Sequence, residues 1–388
     1  MTLTQLDNLY VANTYKRFDV ELSHGKGSEI FSFDGKRYID MGSGIGVTCF
    51  GIADEKWQEA VISQLGTLQH TSNLYYTSPC AKLAQLLCEK TGMKKVFFAN
   101  SGAEANECAI KLARKYASDV KKIDDPYIIT LENSFHGRTL TTLAATGQDH
   151  FHQLFQPLTP GFVHAKANDI ESVKKLLKEY PVSAILFECV QGEGGVIELD
   201  EEFVKGIEKL CKENDVLLMV DEVQTGNGRT GKLYAYQNFG ITPDVVTTAK
   251  GLGGGLPIGA TLMGEKVQNV LQPGDHGSTY GGNPVCCAGA LSVIERMDDE
   301  FLDKVKAKSE LIFKRLEGAK GIKSVSGRGL MLGIETCRPA GEVVKECAEK
   351  GVLCLTAKTK VRLLPALNIP DEILNEALDV IISVCAKC

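Results

Sequence analysis

Between residues 96 and 263, short apolar runs alternate with amphipathic helical patterns. The apolar runs fall at residues 96–99, 127–131, 184–188, 216–221 and 245–248, and the helical patterns at 104–117, 170–179 and 202–213. Strands read as nearly continuous apolar runs when both faces of their sheet are covered. The alternation therefore predicts an α/β fold, in which a mostly parallel sheet carries helices on both faces.

A second, mixed pattern follows Pro284. A helical pattern runs to about residue 297, and strand-like segments then lie at 323–325, 330–335, 353–355 and 361–364. Residues 30–39 read as a hairpin that turns at Asp34 and Gly35. We expect a large domain over residues 53–285, and a smaller α+β domain formed by residues 1–52 together with 286–388.

Composition narrows the possible partners and the compartment. Lys and Arg number 43 against 49 Asp and Glu, a formal net charge of −6, which argues against nucleic acid and anionic membrane surfaces as partners. The first twenty residues lack a signal-peptide core, and no apolar run reaches the ~18 residues of a membrane helix. Thirteen scattered cysteines are typical of reduced thiols, so we expect a cytoplasmic protein.

The last four residues contain a Cys-x-x-Cys pair, Cys385 and Cys388. A structural zinc site takes four ligands, and no second such pair accompanies this one. We therefore expect no metal site.

Ligands of open α/β sheets bind beyond the carboxyl ends of the strands. The segment 100–106, which reads NSGAEAN, follows the first apolar run. Ser101 and Glu104 have capping-box spacing, which predicts a helix that begins at Gly102. The amides of Gly102 and Ala103 would then be free to bind an anion, with Gly102 allowing its close approach. A capped helix without a ligand is the alternative.

Two further strand ends carry charged side chains. Asp221 ends a buried apolar run, so its carboxylate must either bond nearby amides or face a cation, such as the protonated ring nitrogen of a pyridinium cofactor. Lys250 ends another run, and burial there would lower its pKa and free the amine as a nucleophile. Lys250 precedes its glycines, so the P-loop pattern is absent, and no G-x-G-x-x-G run directly follows a strand.

The segment 134–139, SFHGRT, offers an aromatic ring, an imidazole and a guanidinium in Phe135, His136 and Arg138. Arginine is the side chain best shaped for two-point binding of a carboxylate, although a surface turn is also compatible with this segment. Together the strand ends supply what a phosphorylated pyridine aldehyde needs: an anion cradle, a stacking ring, a carboxylate, a hydrogen-bond donor and an amine.

These residues resemble the fold-type I pyridoxal-phosphate enzymes, and specifically the class III aminotransferases. The similarity runs through nearly the whole chain, from residues 13–15 (NTY) and 70–76 (HTSNLYY) to 362–367 (RLLPAL). It implies that Lys250 binds pyridoxal phosphate covalently, and that Asp221 pairs with the ring nitrogen. It further implies that Gln224 contacts the ring oxygen and that Phe135 and Val223 cover the two ring faces. The phosphate would accept from the amides of Gly102 and Ala103.

The resemblance also implies a homodimer with shared active sites. Thr279 matches the family residue that reaches the phosphate of the neighbouring subunit's cofactor, and Ser278 lies where substrate is expected. Taken alone, these two residues would be an ordinary glycine-rich turn.

Substrate recognition is implied in the same way. Arg138 matches the arginine that holds the carboxylate far from the reacting amine, and Arg362 matches the one that binds the α-carboxylate of glutamate or 2-oxoglutarate. An ω-amine substrate leaves Arg362 without a carboxylate, and an unpaired buried charge costs several kcal/mol. Glu193 matches the glutamate that pairs with this arginine and moves aside for 2-oxoglutarate.

The implied reaction is transfer of the δ-amine of N2-acetylornithine to 2-oxoglutarate, as in arginine biosynthesis. Members that act on free ornithine have a tyrosine where this chain has Ile45. The chain departs from the usual pattern at Ile52, where histidine is common, and at Cys189, where proline is common. These departures leave the acyl group open.

Several alternatives stay open at this point. Within the family they are ornithine, succinylornithine, succinyldiaminopimelate and 4-aminobutyrate as amine donors, or a semialdehyde aminomutase. Outside it they are a nucleotide-binding α/β protein and a non-catalytic pyridoxal-phosphate carrier.

Overall fold

The computed structural model describes residues 1–387, and its largest element is a seven-stranded sheet. In spatial order the strands are Lys95–Ala99, Gly259–Met263, Val245–Thr248, Leu217–Asp221, Val182–Phe187, Tyr127–Leu131 and Phe162–Ala165. Six strands run in one direction, and Gly259–Met263 runs antiparallel to both of its neighbours. The expected mostly parallel sheet is confirmed.

The central strands have nearly continuous apolar sequences because both faces of the sheet are covered. Every residue of Val182–Phe187 and of Leu217–Asp221 is buried. The helix Gly102–Tyr116 packs its apolar side against the sheet. The α-helices of the chain are Leu3–Tyr10, Glu55–Leu65, Ser78–Thr91, Gly102–Tyr116, Leu140–Ala145, Asp149–His152, Ile170–Glu179, Glu201–Glu213, Pro284–Ile294, Asp299–Leu316, Ala340–Glu349 and Asp371–Cys385.

Two four-stranded sheets are built from the two ends of the chain. The first contains Leu22–Lys26, Glu29–Ser32, Arg37–Asp40 and Val352–Leu353, and the second contains Ile322–Arg328, Met331–Thr336, Lys360–Leu363 and Leu355–Ala357. The short pair Val190–Gln191 and Ile197–Glu198 completes the strands. The predicted hairpin is confirmed, since Glu29–Ser32 and Arg37–Asp40 pair antiparallel around Gly35.

One predicted strand was wrong. Residues 353–355 do not form a single strand, because the chain leaves the first small sheet at Leu353 and joins the second at Leu355. Leu353 pairs with Asp40, whereas Leu355 pairs with Arg362. A run of apolar residues shows that a segment is buried, but it does not show which neighbouring strand each residue meets.

The expected domain boundaries, 53–285 against 1–52 with 286–388, stay a prediction. The large sheet lies within residues 95–263, and the strands of the two small sheets lie at 22–40 and 322–363. One continuous apolar core nevertheless contains residues from all three sheets, including Ile39, Ile129 and Ile334. Cys388, the last residue of the predicted small domain and of the Cys-x-x-Cys pair, lies outside the described residues.

None of the helices within residues 1–387 combines the length and the hydropathy that crossing a lipid bilayer requires.

Candidate active site

A cavity of about 460 Å³ lies at the carboxyl ends of the parallel strands. It is formed mainly by the loops that follow Lys95–Ala99, Tyr127–Leu131, Leu217–Asp221 and Val245–Thr248. Eight of the residues that the sequence singled out line it: Gly102, Ala103, Phe135, Arg138, Asp221, Val223, Gln224 and Lys250. Side chains that are up to about 150 residues apart in sequence are thus brought to one edge of the sheet.

The first loop ends in the expected helix N-terminus. Ser101 is the N-cap, its hydroxyl accepts from the Glu104 amide at 3.2 Å, and the helix begins at Gly102. The Glu104 carboxylate reaches back to the amide of Asn100, at 2.7 Å, one residue before the cap. The amides of Gly102 and Ala103 have no acceptor within their own helix, as at any helix start. They line the cavity at the positive end of a 15-residue helix, where an anion binds favourably.

Gly102 has a packing role that the sequence did not reveal. A Cβ at this position would lie 2.5 Å from Cγ1 of Val223 and 2.9 Å from its Cγ2. Glycine is therefore required for Val223 to approach the helix N-terminus. This close approach places the apolar Val223 side chain directly beside the free amides at the helix N-terminus.

The Asp221 carboxylate is buried, and each of its two oxygens has a partner among its neighbours. One oxygen accepts from Asn106 Nδ2 at 2.8 Å and lies 2.8 Å from His136 Nδ1, and the other accepts from the Val223 amide at 2.9 Å. Asn106 is fixed in turn, since its Oδ1 accepts from the Thr247 hydroxyl at 2.7 Å. A carboxylate held in this way presents its charge to the cavity in one orientation.

Sequence reasoning did not assign Asn106 or His136 to the site. Asn106 lies in the second turn of the helix that begins at Gly102, and His136 lies between Phe135 and Arg138. His136 is buried, and its Nε2 has no hydrogen-bond partner among residues 1–387. The imidazole beside two assigned residues was the signal in the sequence, but its partner, Asp221, is 85 positions away.

Lys250 occupies a tight 3₁₀ turn, Lys250–Leu252, and adopts a left-handed backbone conformation with φ of +45°. Its half-buried side chain lines the cavity. Burial, assisted by the positive charge of Arg362, lowers the pKa of the amine, against the opposing pull of Glu193 and Asp221. A lowered pKa increases the unprotonated fraction of the amine, which is the form that attacks a carbonyl.

Glu193 and Arg362 form an ion pair behind the cavity wall. The Arg362 guanidinium donates to Glu193 at 2.5 Å and to Gln224 Oε1 at 3.2 Å, and Gln224 itself lines the cavity. Burial tends to raise the pKa of the Glu193 carboxyl, but the charge and hydrogen bond of Arg362 bring it below its ordinary value. Arg362 is only 4 % exposed and Glu193 is 31 % exposed in their side chains. The glutamate is therefore the partner that has room to move.

Another glutamate, Glu188, is buried, lines the cavity and was not assigned from the sequence. Its carboxyl accepts from the Phe135 amide at 3.0 Å and from the Gly192 amide at 3.4 Å. Burial raises its pKa to about 7. The group joins the loop that carries the predicted stacking ring to the loop that carries Glu193.

The remaining predicted residues lie at the rim of the site or outside it. Arg138 is exposed at the cavity edge. Ser278 accepts from Asn100 Nδ2 at 3.1 Å, next to the lining, whereas Thr279 is exposed and is not part of the lining. Ile45 is 41 % exposed and lies in the turn Ser43–Gly46, in which every residue has positive φ.

Comparisons with known proteins agree with this geometry. The family described as aminotransferase class-III matches residues 10–385. The acetylornithine aminotransferase of Haemophilus ducreyi is 52% identical over 99% of this chain and 98% of its own length, and that of Methanocaldococcus jannaschii is 44% identical over 95% and 94%. The chain belongs to the class III aminotransferases.

Solved structures lead to the same family. The ornithine aminotransferase from Toxoplasma gondii, whose structure has partial occupancy of pyridoxal phosphate at the active site, superposes with a TM-score of 0.94 and 32% identity, over 99% of this chain and 93% of that one. The N-acetylornithine aminotransferase from Stenotrophomonas maltophilia gives 0.86 and 34%, over 99% and 98%. The expected fold type, enzyme class and pyridoxal-phosphate cofactor are confirmed.

The residues of the cavity fit this cofactor. The free amides of Gly102 and Ala103 suit a phosphate, the fixed Asp221 carboxylate suits a protonated ring nitrogen, and the Lys250 amine suits an aldehyde. When bound, pyridoxal phosphate supplies a cationic ring that accepts electrons from the substrate carbon that loses its proton.

Proposed function

We propose that this enzyme transfers the δ-amine of N2-acetylornithine to 2-oxoglutarate, giving N-acetylglutamate semialdehyde and glutamate, a step of arginine biosynthesis. The observation that carries the proposal is the Glu193–Arg362 pair beside the cavity, together with Arg138 at its edge. The names of the similar curated proteins support the same substrate.

The ion pair explains how one cavity accepts two different substrates. The δ-carbon of acetylornithine has no carboxylate attached, so Arg362 keeps Glu193 as its partner and no buried charge is left unpaired. The α-carboxylate of 2-oxoglutarate replaces Glu193 in the second half of the cycle. In both halves Arg138 binds the carboxylate at the far end of the substrate.

We assign the chemical steps to two residues. Lys250 would hold the cofactor through its amine, and the same amine would carry the proton that leaves the δ-carbon, first as base and then as acid. Asp221 holds the proton on the ring nitrogen, because its orientation is fixed by Asn106, His136 and the Val223 amide. Phe135 and Val223 would enclose the ring, and Gln224 would approach its oxygen, since all three residues line the cavity.

We also propose that the enzyme acts as a cytoplasmic homodimer with shared sites. Thr279 is exposed and outside the cavity of its own chain, as a residue that completes a partner's site would be. The segment that precedes the helix Ser78–Thr91 exposes Leu74 and Tyr76 almost completely, and Tyr75 is 68% exposed. A surface of this kind is expected to be covered by a second copy.

Free ornithine is the second candidate donor, because ornithine aminotransferases are among the solved structures most similar to this chain. At the position where ornithine-specific members have a tyrosine, this chain has Ile45, which cannot hydrogen-bond a free α-amine. This difference favours a donor whose α-amine is acylated.

A panel of ω-amine donors tests the proposal with 2-oxoglutarate as acceptor. Acetylornithine, succinylornithine, ornithine, succinyldiaminopimelate and 4-aminobutyrate are compared by kcat/KM for glutamate formation. We expect acetylornithine to be preferred over free ornithine. A higher kcat/KM for ornithine would reject the proposal, and size-exclusion chromatography with light scattering tests the dimer independently.

A further inference from the structure

The short helix Asp149–His152 places an aromatic ring beside the predicted substrate arginine. The Phe151 ring centroid lies 4.3 Å from Cζ of Arg138, and the ring of Phe135 lies 5.4 Å from the same atom. The two rings are 6.0 Å apart and nearly perpendicular. The Arg138 guanidinium therefore lies over two aromatic faces at the edge of the cavity, with Phe151 the nearer.

This contact holds the guanidinium without occupying its donors. An aromatic face offers no carbonyl or carboxylate oxygen to the N–H groups of arginine, so a cation–π contact leaves their hydrogen bonds to oxygen available. Within residues 1–387, Arg138 has no hydrogen bond or ion pair with another side chain or carbonyl. Its N–H edges are left free for a carboxylate, which they bind in two-point fashion.

Phe151 is itself held in place. The buried Gln148 amide, just before the helix, donates to the carbonyl of Ser134 at 2.9 Å, next to Phe135. At the helix end, His152 Nε2 donates to the Thr146 carbonyl at 2.7 Å. The first anchor ties the helix to the loop that forms the cavity wall, and the second ties it to the end of the preceding helix, Leu140–Ala145. The distance between Phe151 and Arg138 is therefore set by the fold.

We propose that Phe151 is a positioning residue for substrate specificity: it holds Arg138 in the orientation that receives the carboxylate remote from the reacting amine. Phe151 acts through Arg138 and does not itself bind the substrate. The contact favours ω-amino acids with a distal carboxylate over amines that lack this carboxylate. The inference rests on the proposed function, since it assumes that Arg138 meets the substrate.

The test compares two donors that differ only in the carboxylate, acetylornithine and N-acetyl-1,4-diaminobutane. A cation–π contact at an exposed site is worth about 1 kcal/mol, which corresponds to about fivefold in binding. In Phe151→Leu we expect KM for acetylornithine to rise about fivefold with kcat within about twofold, and the decarboxylated donor to be unaffected. Phe151→Tyr keeps the ring and should restore the wild-type KM.

A binding measurement accompanies the kinetics. N-Acetylnorvaline carries the same carboxylate and acetyl group but no amine to react, and its Kd by calorimetry should rise by the same factor of about five in Phe151→Leu. Phe155→Leu is the matched control, because it makes the same chemical change on a ring that is 53% exposed and lies just beyond the helix Asp149–His152. We expect this control to match the wild type in both measurements.

Four results would overturn the inference. Three of them concern the variants: an equal loss with both donors, an unchanged KM in Phe151→Leu, or the same effect in Phe155→Leu. If the wild type prefers another ω-amino acid to acetylornithine, the proposed substrate is wrong, and the comparison is made with that amino acid and its decarboxylated analogue. The fourth result is a wild-type enzyme that uses the decarboxylated donor as well as the donor that carries the carboxylate.

Discussion

At the cofactor end of the cavity, both oxygens of Asp221 are engaged by buried groups, and Gly102 lets Val223 close against the helix N-terminus. At the substrate end, the contacts are fewer and more exposed: Arg138 lies against aromatic rings, and Glu193 is 31 % exposed. The cofactor end holds the same cofactor throughout the proposed cycle, whereas the substrate end must accept two different substrates. The contacts are therefore rigid where the ligand stays the same, and they can be exchanged where the ligand changes.

The largest effect should come from Lys250, which lies between the two ends. Lys250→Ala removes the amine that holds the cofactor and carries the proton, and general acid–base catalysis alone contributes about 10²–10⁴-fold. We expect cofactor to be retained but turnover to fall by at least about 10³-fold. Borohydride reduction and peptide mass spectrometry should place the cofactor on Lys250 in the wild type.

Lys56→Ala is a suitable control, since Lys56 is exposed. Normal turnover in Lys250→Ala, or a label on a different lysine, would refute the assignment.

A pH effect should come from Glu222, the buried residue that follows Asp221 at the cofactor end. Burial raises its pKa from the ordinary 4.5 to about 7. Between pH 4.5 and 7 the unfolded chain loses this proton while the folded chain keeps it, so the free energy of unfolding falls as pH rises through this window. At about 1.4 kcal/mol per pKa unit, the whole decline is of the order of 3 kcal/mol.

Glu222→Gln should flatten that decline, since glutamine can still bond the Tyr236 amide and the Thr225 hydroxyl that Glu222 meets. Urea unfolding followed at several pH values measures the difference. An unchanged pH dependence in Glu222→Gln would show that this carboxyl is not the group that titrates.

The rigidity of the cofactor end can be tested through Asn106. Asn106→Ala removes one buried hydrogen bond from the Asp221 carboxylate, and a bond to a charged group is worth about 1.5–3 kcal/mol. We expect cofactor affinity to fall by a corresponding factor, measured by titrating the apoenzyme, while the relative kcat/KM of different amine donors stays constant. A change in donor preference would contradict the separation of the two ends.

Of the four effects at Lys250, Glu222, Asn106 and Glu193, the smallest and most selective is expected at Glu193. Glu193→Gln leaves Arg362 without a charged partner when the substrate has no α-carboxylate at the reacting carbon. We expect the acetylornithine half-reaction to slow about tenfold, about 1.4 kcal/mol, and the glutamate half-reaction to change less. Stopped-flow measurement of each half-reaction distinguishes these effects, and wild-type rates in both would dismiss the proposed exchange of partners.

Much of the fold follows from local patterns. The predicted strands Tyr127–Leu131 and Val245–Thr248 and the helix Ile170–Glu179 have the expected bounds, because buried apolar runs and helical periodicity need no knowledge of neighbours. The strand Gly259–Met263 was not predicted. It follows a glycine-rich loop and runs antiparallel inside a parallel sheet, and neither feature marks a strand in sequence.

The candidate site divides in the same way. The helix N-terminus at Gly102 was predictable because Ser101 and Glu104 lie three residues apart and act locally. Bonds between distant segments were not: Asn106 and His136 meet Asp221 across 115 and 85 residues. The Glu193–Arg362 pair spans 169 residues, and it was anticipated from resemblance to the family, not from spacing.

The sequence by itself determined which residues end buried strands, and therefore which polar groups had to find partners near the sheet edge. Only the tertiary structure decided which partners they found, because hydrogen bonds and ion pairs act over a few ångströms between segments whose separation along the chain carries no information about distance. The packing of Val223 on Gly102 and of Arg138 on Phe151 depends on that three-dimensional arrangement.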